Sequence, residues 1–285
     1  MIKNGLVMEG GGMRGIYTSA VLDYFLEKNL EFDYTIGVSA GAINAASFIS
    51  KQKERTKNVL ITYTGDSRYM GIGNIIKEGN FFSTDFAYNQ IPNKLIPFDY
   101  DTFFNSNSVF KIGTTNCNTG KAEFFEKNSF NTNSIMDVVR ASGSLPFLSK
   151  MVNINGTPYL DGGISDSIPI KKAIEDGCCK LVLILTRPKG YRKKPSKFGF
   201  IADICYKNKP LLADILKKRY QIYNETLEYI ESLEANNEIF VIRPSESVEI
   251  SRLEKNSLKL ENLYKLGLRD AETYFDKMKE FLGKN

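Results

Sequence analysis

The chain has 285 residues and no histidine, an absence that constrains its chemistry more than any residue present. A Ser-His-Asp triad is excluded, because there is no imidazole to take a serine proton. The 4 cysteines, Cys117, Cys178, Cys179 and Cys205, include no CxxC pair. A zinc centre of the usual Cys/His type is therefore excluded too. Nor do so few cysteines in so long a chain make a disulfide framework, and a reducing, cytoplasmic setting is expected. No apolar run is long enough to cross a bilayer. The opening segment, Met1 to Met8, is too short and too soon broken for a signal peptide. Any membrane contact is expected to be peripheral. The formal charge of +5 comes without long basic runs, which permits contact with an anionic surface but argues against nucleic acid as a partner.

What is present is an ordinary globular composition, 42% hydrophobic and 25% charged, enough to bury a large core. Apolar β-type runs at 6–8, 34–38 and 181–185 alternate with helical spacing at 16–28, 40–50 and 169–176. That alternation predicts an α/β fold: a mostly parallel central sheet covered by helices on both faces. Residues 109–113 and 122–125, around Asn118-Thr119-Gly120, read as a hairpin. A short helix is expected at 134–142. A long helix follows near 211–233, then a strand at 239–242 and a last helix at 258–282. We expect a core over 1–190 and a mostly helical extension over 191–285 packed upon it, the two possibly forming one domain.

Two stretches stand apart. Residues 67–105 interleave Phe81, Phe82, Phe86, Tyr88, Phe98, Tyr100, Phe103 and Phe104 with turn formers. They read as an irregular insertion, either an apolar cap for an acyl chain or aromatics that plug the core. Residues 187–197 are basic with Pro and Gly, and read as a solvated linker rather than a grip for phosphate headgroups.

Three segments carry chemistry. Gly37-Val38-Ser39-Ala40-Gly41 lies between a strand and a helix pattern, the context in which Gly-x-Ser-x-Gly lifts a serine hydroxyl above a sheet. Gly10-Gly11-Gly12-Met13-Arg14-Gly15 follows the first strand. Its freed N–H groups suit an anion, which is an oxyanion in acyl transfer or a phosphate in a nucleotide binder. The loop lacks the Gly-Lys-Ser/Thr of a phosphate loop and does not match GxGxxG. Asp161-Gly162-Gly163 ends an apolar strand. It offers a carboxylate where the chain can turn tightly, although Asp-Gly-Gly is also a common turn.

In this order the three segments resemble the patatin-like phospholipase family. A fourth, Arg140-Ala141-Ser142-Gly143-Ser144-Leu145-Pro146, resembles the family's Ala-Ser-x-x-x-Pro element. The resemblance runs from about residue 5 to 185, and the tail is similar to that of some bacterial members. It implies a three-layer α/β/α sandwich and a Ser-Asp dyad that needs no histidine. Ser39 is then the nucleophile and Asp161 the general base. Gly11, Gly12 and Met13 supply the oxyanion hole, with Arg14 supporting it. The expected substrate is a lipid or other ester, with no cofactor and no metal. Gly143 departs from the family pattern, where a larger residue is expected. Two other readings stay open: a lipid or acyl-chain binder without catalysis, and a phosphate or nucleotide binder.

Overall fold

Short apolar runs pair into an eight-stranded sheet in the computed structural model, which describes residues 3–196, 199–247 and 249–283. Met1, Ile2 and Lys197 of the segments singled out above lie outside those residues. The strands are β1 (Lys3–Met8), β2 (Tyr34–Val38), β3 (Val109–Asn116), β4 (Ala122–Glu126), β5 (Val152–Ile154), β6 (Thr157–Asp161), β7 (Cys178–Ile184) and β8 (Ile239–Ile242). Their order is β5-β6-β3-β2-β1-β7-β8, with β4 pairing β3 as well. The run β3-β2-β1-β7-β8 is parallel throughout. The antiparallel pairs gather at the β3 end.

The helices are α1 (Gly15–Glu27), α2 (Ala40–Ile49), α3 (Arg55–Tyr63), α4 (Ile72–Glu78), α5 (Tyr100–Asn105), α6 (Ile135–Ser142), α7 (Ile170–Glu175), α8 (Gly199–Cys205), α9 (Pro210–Ala235) and α10 (Ser257–Leu282). Successive strand residues face opposite sides, which splits the core in two. Leu6, Met8, Val182 and Ile184 pack with α1, α2 and α10, while Val7, Leu181, Leu183 and Val241 pack with α7 and α9. The result is the expected three-layer arrangement. Helix α1 is buried along most of its length because α10 covers the side turned away from the sheet. The C-terminal region thus contributes the edge strand β8 and an outer helix.

Two expectations need correction. Residues 67–105 are not irregular throughout: they contain α4, a π-helical segment at Phe86–Leu95, and α5. Short helices among turn formers leave too few periods to read. The stretch from 187 is not a free linker. Asn224 on α9 clamps Lys193 at both backbone atoms, accepting from its N–H at 2.8 Å and donating to its carbonyl at 3.0 Å, and Arg192 pairs with Glu231 at 2.6 Å.

The register on β3 has a consequence for function. β2 pairs β3 from Val109 to Gly113, and β4 pairs it from Lys111 to Thr115. These spans overlap, so β2 and β4 must lie on opposite edges of β3. β6 pairs Thr114 to Asn116, overlapping β4 but not β2. β6 therefore continues the edge that β2 occupies, and runs towards it. Val38 opposite Gly113 and Asp161 opposite Thr114 bring the two strand ends together.

Candidate active site

Ser39 stands where β2 turns into α2, at φ 55° and ψ −124°. A non-glycine residue held there stores on the order of 1–3 kcal/mol of strain. The flanking glycines make the turn possible by close approach. A Cβ on Gly37 would fall 2.6 Å from a Gly41 backbone carbon, and one on Gly41 would fall 2.6 Å from the Met8 carbonyl oxygen. The strained backbone is held by a side chain from α6: the Ser39 N–H donates to Ser142 Oγ at 2.8 Å, and Ser142 Oγ donates to the Gly113 carbonyl at 2.6 Å. The α2 N-terminus behind the serine directs its partial positive charge at the reacting centre.

Asp161 meets Ser39 end-on. Ser39 Oγ donates to Asp161 Oδ2 at 2.7 Å, and the Gly163 N–H donates to Oδ1 at 2.7 Å, fixing the carboxylate plane. The Asp161 backbone is fixed as well: its N–H donates to the Ser144 carbonyl at 2.8 Å, and its carbonyl accepts from Thr115 Oγ1 at 2.9 Å. Both residues are nearly closed off, Ser39 at 7% and Asp161 at 3% exposure. Arg219 donates to the Gly163 carbonyl. Burial and repulsion from Arg252 bring its guanidinium down to about 10, against an opposing pull from Asp161.

The Gly-rich loop turns at Gly12 (φ +59°), and Gly12 and Ser39 line the same cavity. Among the described residues, the N–H groups of Gly11 and Gly12 have no hydrogen-bond acceptor. The Met13 N–H donates to the Arg252 carbonyl at 3.1 Å. Arg14 also has a partner in that segment. Its buried guanidinium reaches the Ile250 carbonyl at 3.3 Å and lines a separate polar cavity with Glu9 and Arg252, away from Ser39. In both cases the partner lies in the segment between β8 and α10, which local sequence does not bring to mind.

The Ser39 cavity holds about 130 Å³. Its wall is mostly apolar, with Ile43, Val59, Leu60, Val139, Tyr69, Phe82, Tyr88 and Phe98, while Ser39, Asn44, Arg55 and Thr56 are the polar residues that line it. Several rings of the aromatic insertion line this cavity, while Phe103 is fully buried in the core. Gly143, the departure from the family pattern, leaves room for Tyr88, whose Oη would lie 3.2 Å from any Cβ there. Burial pushes the Tyr88 phenol up to about 12, so it stays neutral. Among the described residues no cluster of His, Cys, Asp or Glu is suited to a metal ion.

The sequence names the segments that hold Ser142, Ser144 and Tyr88 but not the task of each, and it does not single out Arg219. The Ala-Ser-x-x-x-Pro element was the available signal for the two serines. Arg219 lies midway along a long amphipathic helix with no local mark.

Comparison with known proteins bears on the family. A family model described as patatin-like phospholipase matches residues 6–174, and one described as a domain of unknown function (DUF6363) matches 209–283. The uncharacterized protein YjjU of Escherichia coli strain K12 is 31% identical over 271 residues, covering 92% of this chain and 74% of that protein. A probable lipid hydrolase, 463L of Invertebrate iridescent virus 6, is 23% identical over 191 residues, covering 60% of this chain and 63% of that one. Among solved structures, VipD from Legionella pneumophila aligns over 98% of this chain and 67% of its own, with a TM-score of 0.46 and 15% identity.

Proposed function

Given that this chain belongs to the patatin-like phospholipase family, we propose that it hydrolyses lipid acyl esters with a Ser39-Asp161 dyad. The observation that carries this reading is the 2.7 Å hydrogen bond from Ser39 Oγ to Asp161 Oδ2, with Ser39 lining a mostly apolar cavity.

In the proposed cycle, Oγ attacks the ester carbonyl carbon as Asp161 Oδ2 takes its proton. The carbonyl oxygen becomes an oxyanion facing the Gly11 and Gly12 N–H groups, each worth roughly 2.7–4 kcal/mol in the transition state. When the tetrahedral intermediate collapses, the C–O bond to the alcohol breaks and Asp161 returns the proton to the leaving oxygen. Water then attacks the acyl-serine, giving its proton to Asp161 and releasing the acid, and Ser39 recovers its hydrogen. No histidine is needed because the carboxylate contacts the serine directly.

The test is intact mass after incubation with a fluorophosphonate, alongside turnover of a short-chain ester. Wild type should gain one adduct, and Ser39→Ala should gain none and turn over nothing while melting like wild type. Asp161→Asn should lose roughly 10²–10⁴-fold in turnover. Wild-type labelling by Ser39→Ala would sink the assignment.

A further inference from the structure

On the far side of the Gly-rich loop from the Ser39 cavity lies a second, polar cavity of about 210 Å³. Arg14, Arg187, Lys193 and Arg252 all line it, with Tyr191 and Tyr223 among its walls. Glu9 is the one carboxylate there, and it is already engaged. Its Oε1 accepts from Tyr223 Oη at 2.7 Å, and its Oε2 accepts from the Thr186 N–H at 2.6 Å and Oγ1 at 3.0 Å. Among the described residues, none of the four cations forms an ion pair. Four basic side chains thus face one occupied carboxylate. The Arg14 Nε is buried with no hydrogen-bond partner.

Burying like charges together is costly unless something compensates. The cost is visible in the groups themselves. Arg14 is brought down to about 10 by burial and Arg187, and Lys193 to about 6 by burial, Arg219 and Arg252. Yet the arrangement is held in place. Lys193 is clamped to α9 by Asn224 and lies 4.0 Å over the Tyr223 ring, and Arg187 lies 4.6 Å over Tyr191. Basic side chains that line one cavity, with an unused buried N–H among them, suit an anion.

We propose that this cavity binds a phosphate group, with Arg14, Arg187, Lys193 and Arg252 as its donors. A tetrahedral anion gives fork-shaped guanidinium groups two acceptors each. The phosphate belongs to a phospholipid headgroup or to a small free phosphate compound. Gly10 connects the cavity to the dyad: its backbone lines the cavity, and a Cβ on it would stand 3.3 Å from the Ser39 Cβ. The site stands independently of hydrolysis; only the headgroup source rests on the hydrolase reading.

The test uses the full chain carrying Ser39→Ala, so that nothing turns over, in phosphate-free buffer. Calorimetry follows inorganic phosphate, dihexanoyl phosphatidylglycerol and dihexanoylglycerol, with and without the added changes Arg187→Gln and Lys193→Gln. Phosphate should bind one to one, and the double change should weaken it about tenfold or more, as expected for lost charged hydrogen bonds. If the source is a headgroup, the phospholipid should outbind the diacylglycerol, and the double change should erase that preference. If the source is a free phosphate, phosphate alone should show the loss. Absence of phosphate binding, or equal affinity in both proteins at equal melting temperature, would overturn the site. Fluorophosphonate labelling of wild type is read separately, so failure of the nucleophile and failure of the anion site are told apart.

Discussion

Ser142→Ala is the perturbation that best probes how the nucleophile is held. Ser142 is fully buried, and its hydroxyl bridges the Ser39 N–H and the Gly113 carbonyl. Alanine leaves the Ser39 N–H without a partner, at a cost of about 1–3 kcal/mol, and forfeits the bond to Gly113, worth roughly another 1 kcal/mol. The space vacated is about one oxygen atom, too small to admit a bridging water. The expected loss is about 2–4 kcal/mol, read by urea denaturation with an unchanged m-value. The hydrogen bond is of the same size as the strain stored at φ 55°, on the order of 1–3 kcal/mol. Removing it lets the Ser39 backbone relax, which moves Oγ off Asp161. A displacement near 1 Å costs on the order of 10²-fold in rate, so fluorophosphonate labelling and ester turnover should fall together. Ser144→Ala is the control. Its hydroxyl serves only the Arg140 carbonyl, while its own backbone carbonyl, which holds Asp161, survives the change. It should cost ~1 kcal/mol and leave labelling intact. Wild-type labelling by Ser142→Ala, with less than about 1 kcal/mol lost, would refute the bridge as the device that holds the turn.

The cavity of about 130 Å³ is close to the roughly 150 Å³ that admits a benzene. Hexanoyl esters should accordingly outpace palmitoyl esters in kcat/KM, and Ile43→Trp should abolish that preference by filling the space. For Lys193 the folded value of about 6 lies below its ordinary 10.5, so between those pH values the unfolded chain holds the extra proton. Its contribution to stability therefore rises with pH across that window, with a slope approaching 1.4 kcal/mol per unit. The groups acting on it are Arg14, Arg219, Arg252 and Glu9; Lys193→Met should flatten the rise and stabilise most near pH 6, in denaturation series at several pH values. Tyr223→Phe deletes the 2.7 Å bond to Glu9 and should cost about 1.5–3 kcal/mol by the same assay.

How much of this was legible depends on the range of each interaction. Strands such as β7 and helices such as α9 announce themselves, because a buried strand must be apolar and a long surface helix must be amphipathic. β5 did not, having only the three residues Val152–Ile154. Ser39 and Asp161 were legible because each needs special backbone on either side, and glycines record that need. The surroundings of Met13 and Arg14 are not legible, for the opposite reason. Their local sequence is right for an oxyanion hole, and their partners are residues 250 to 252, more than two hundred positions away. The basic stretch after Arg187 looked solvated because charge composition carries no record of burial. Asn224 and Glu231, which dock it, are unremarkable residues on α9.

The absence of histidine has a structural counterpart in β3. An imidazole carried on a loop can reach a serine from a distance, whereas an aspartate has a short side chain and must be delivered by the backbone. Here one strand sets both positions. Gly113 pairs with Val38 and accepts from Ser142, Thr114 pairs with Asp161, and Thr115 donates to the Asp161 carbonyl. Three consecutive residues of β3 therefore set the 2.7 Å between Ser39 Oγ and Asp161 Oδ2. A one-residue slip in either pairing would shift its partner by about 3.3 Å and turn its side chain to the other face. The Ser39-Asp161 contact is thus as precise as the sheet register, and on the proposed mechanism substitutions that loosen β3 should cost activity before they cost the fold.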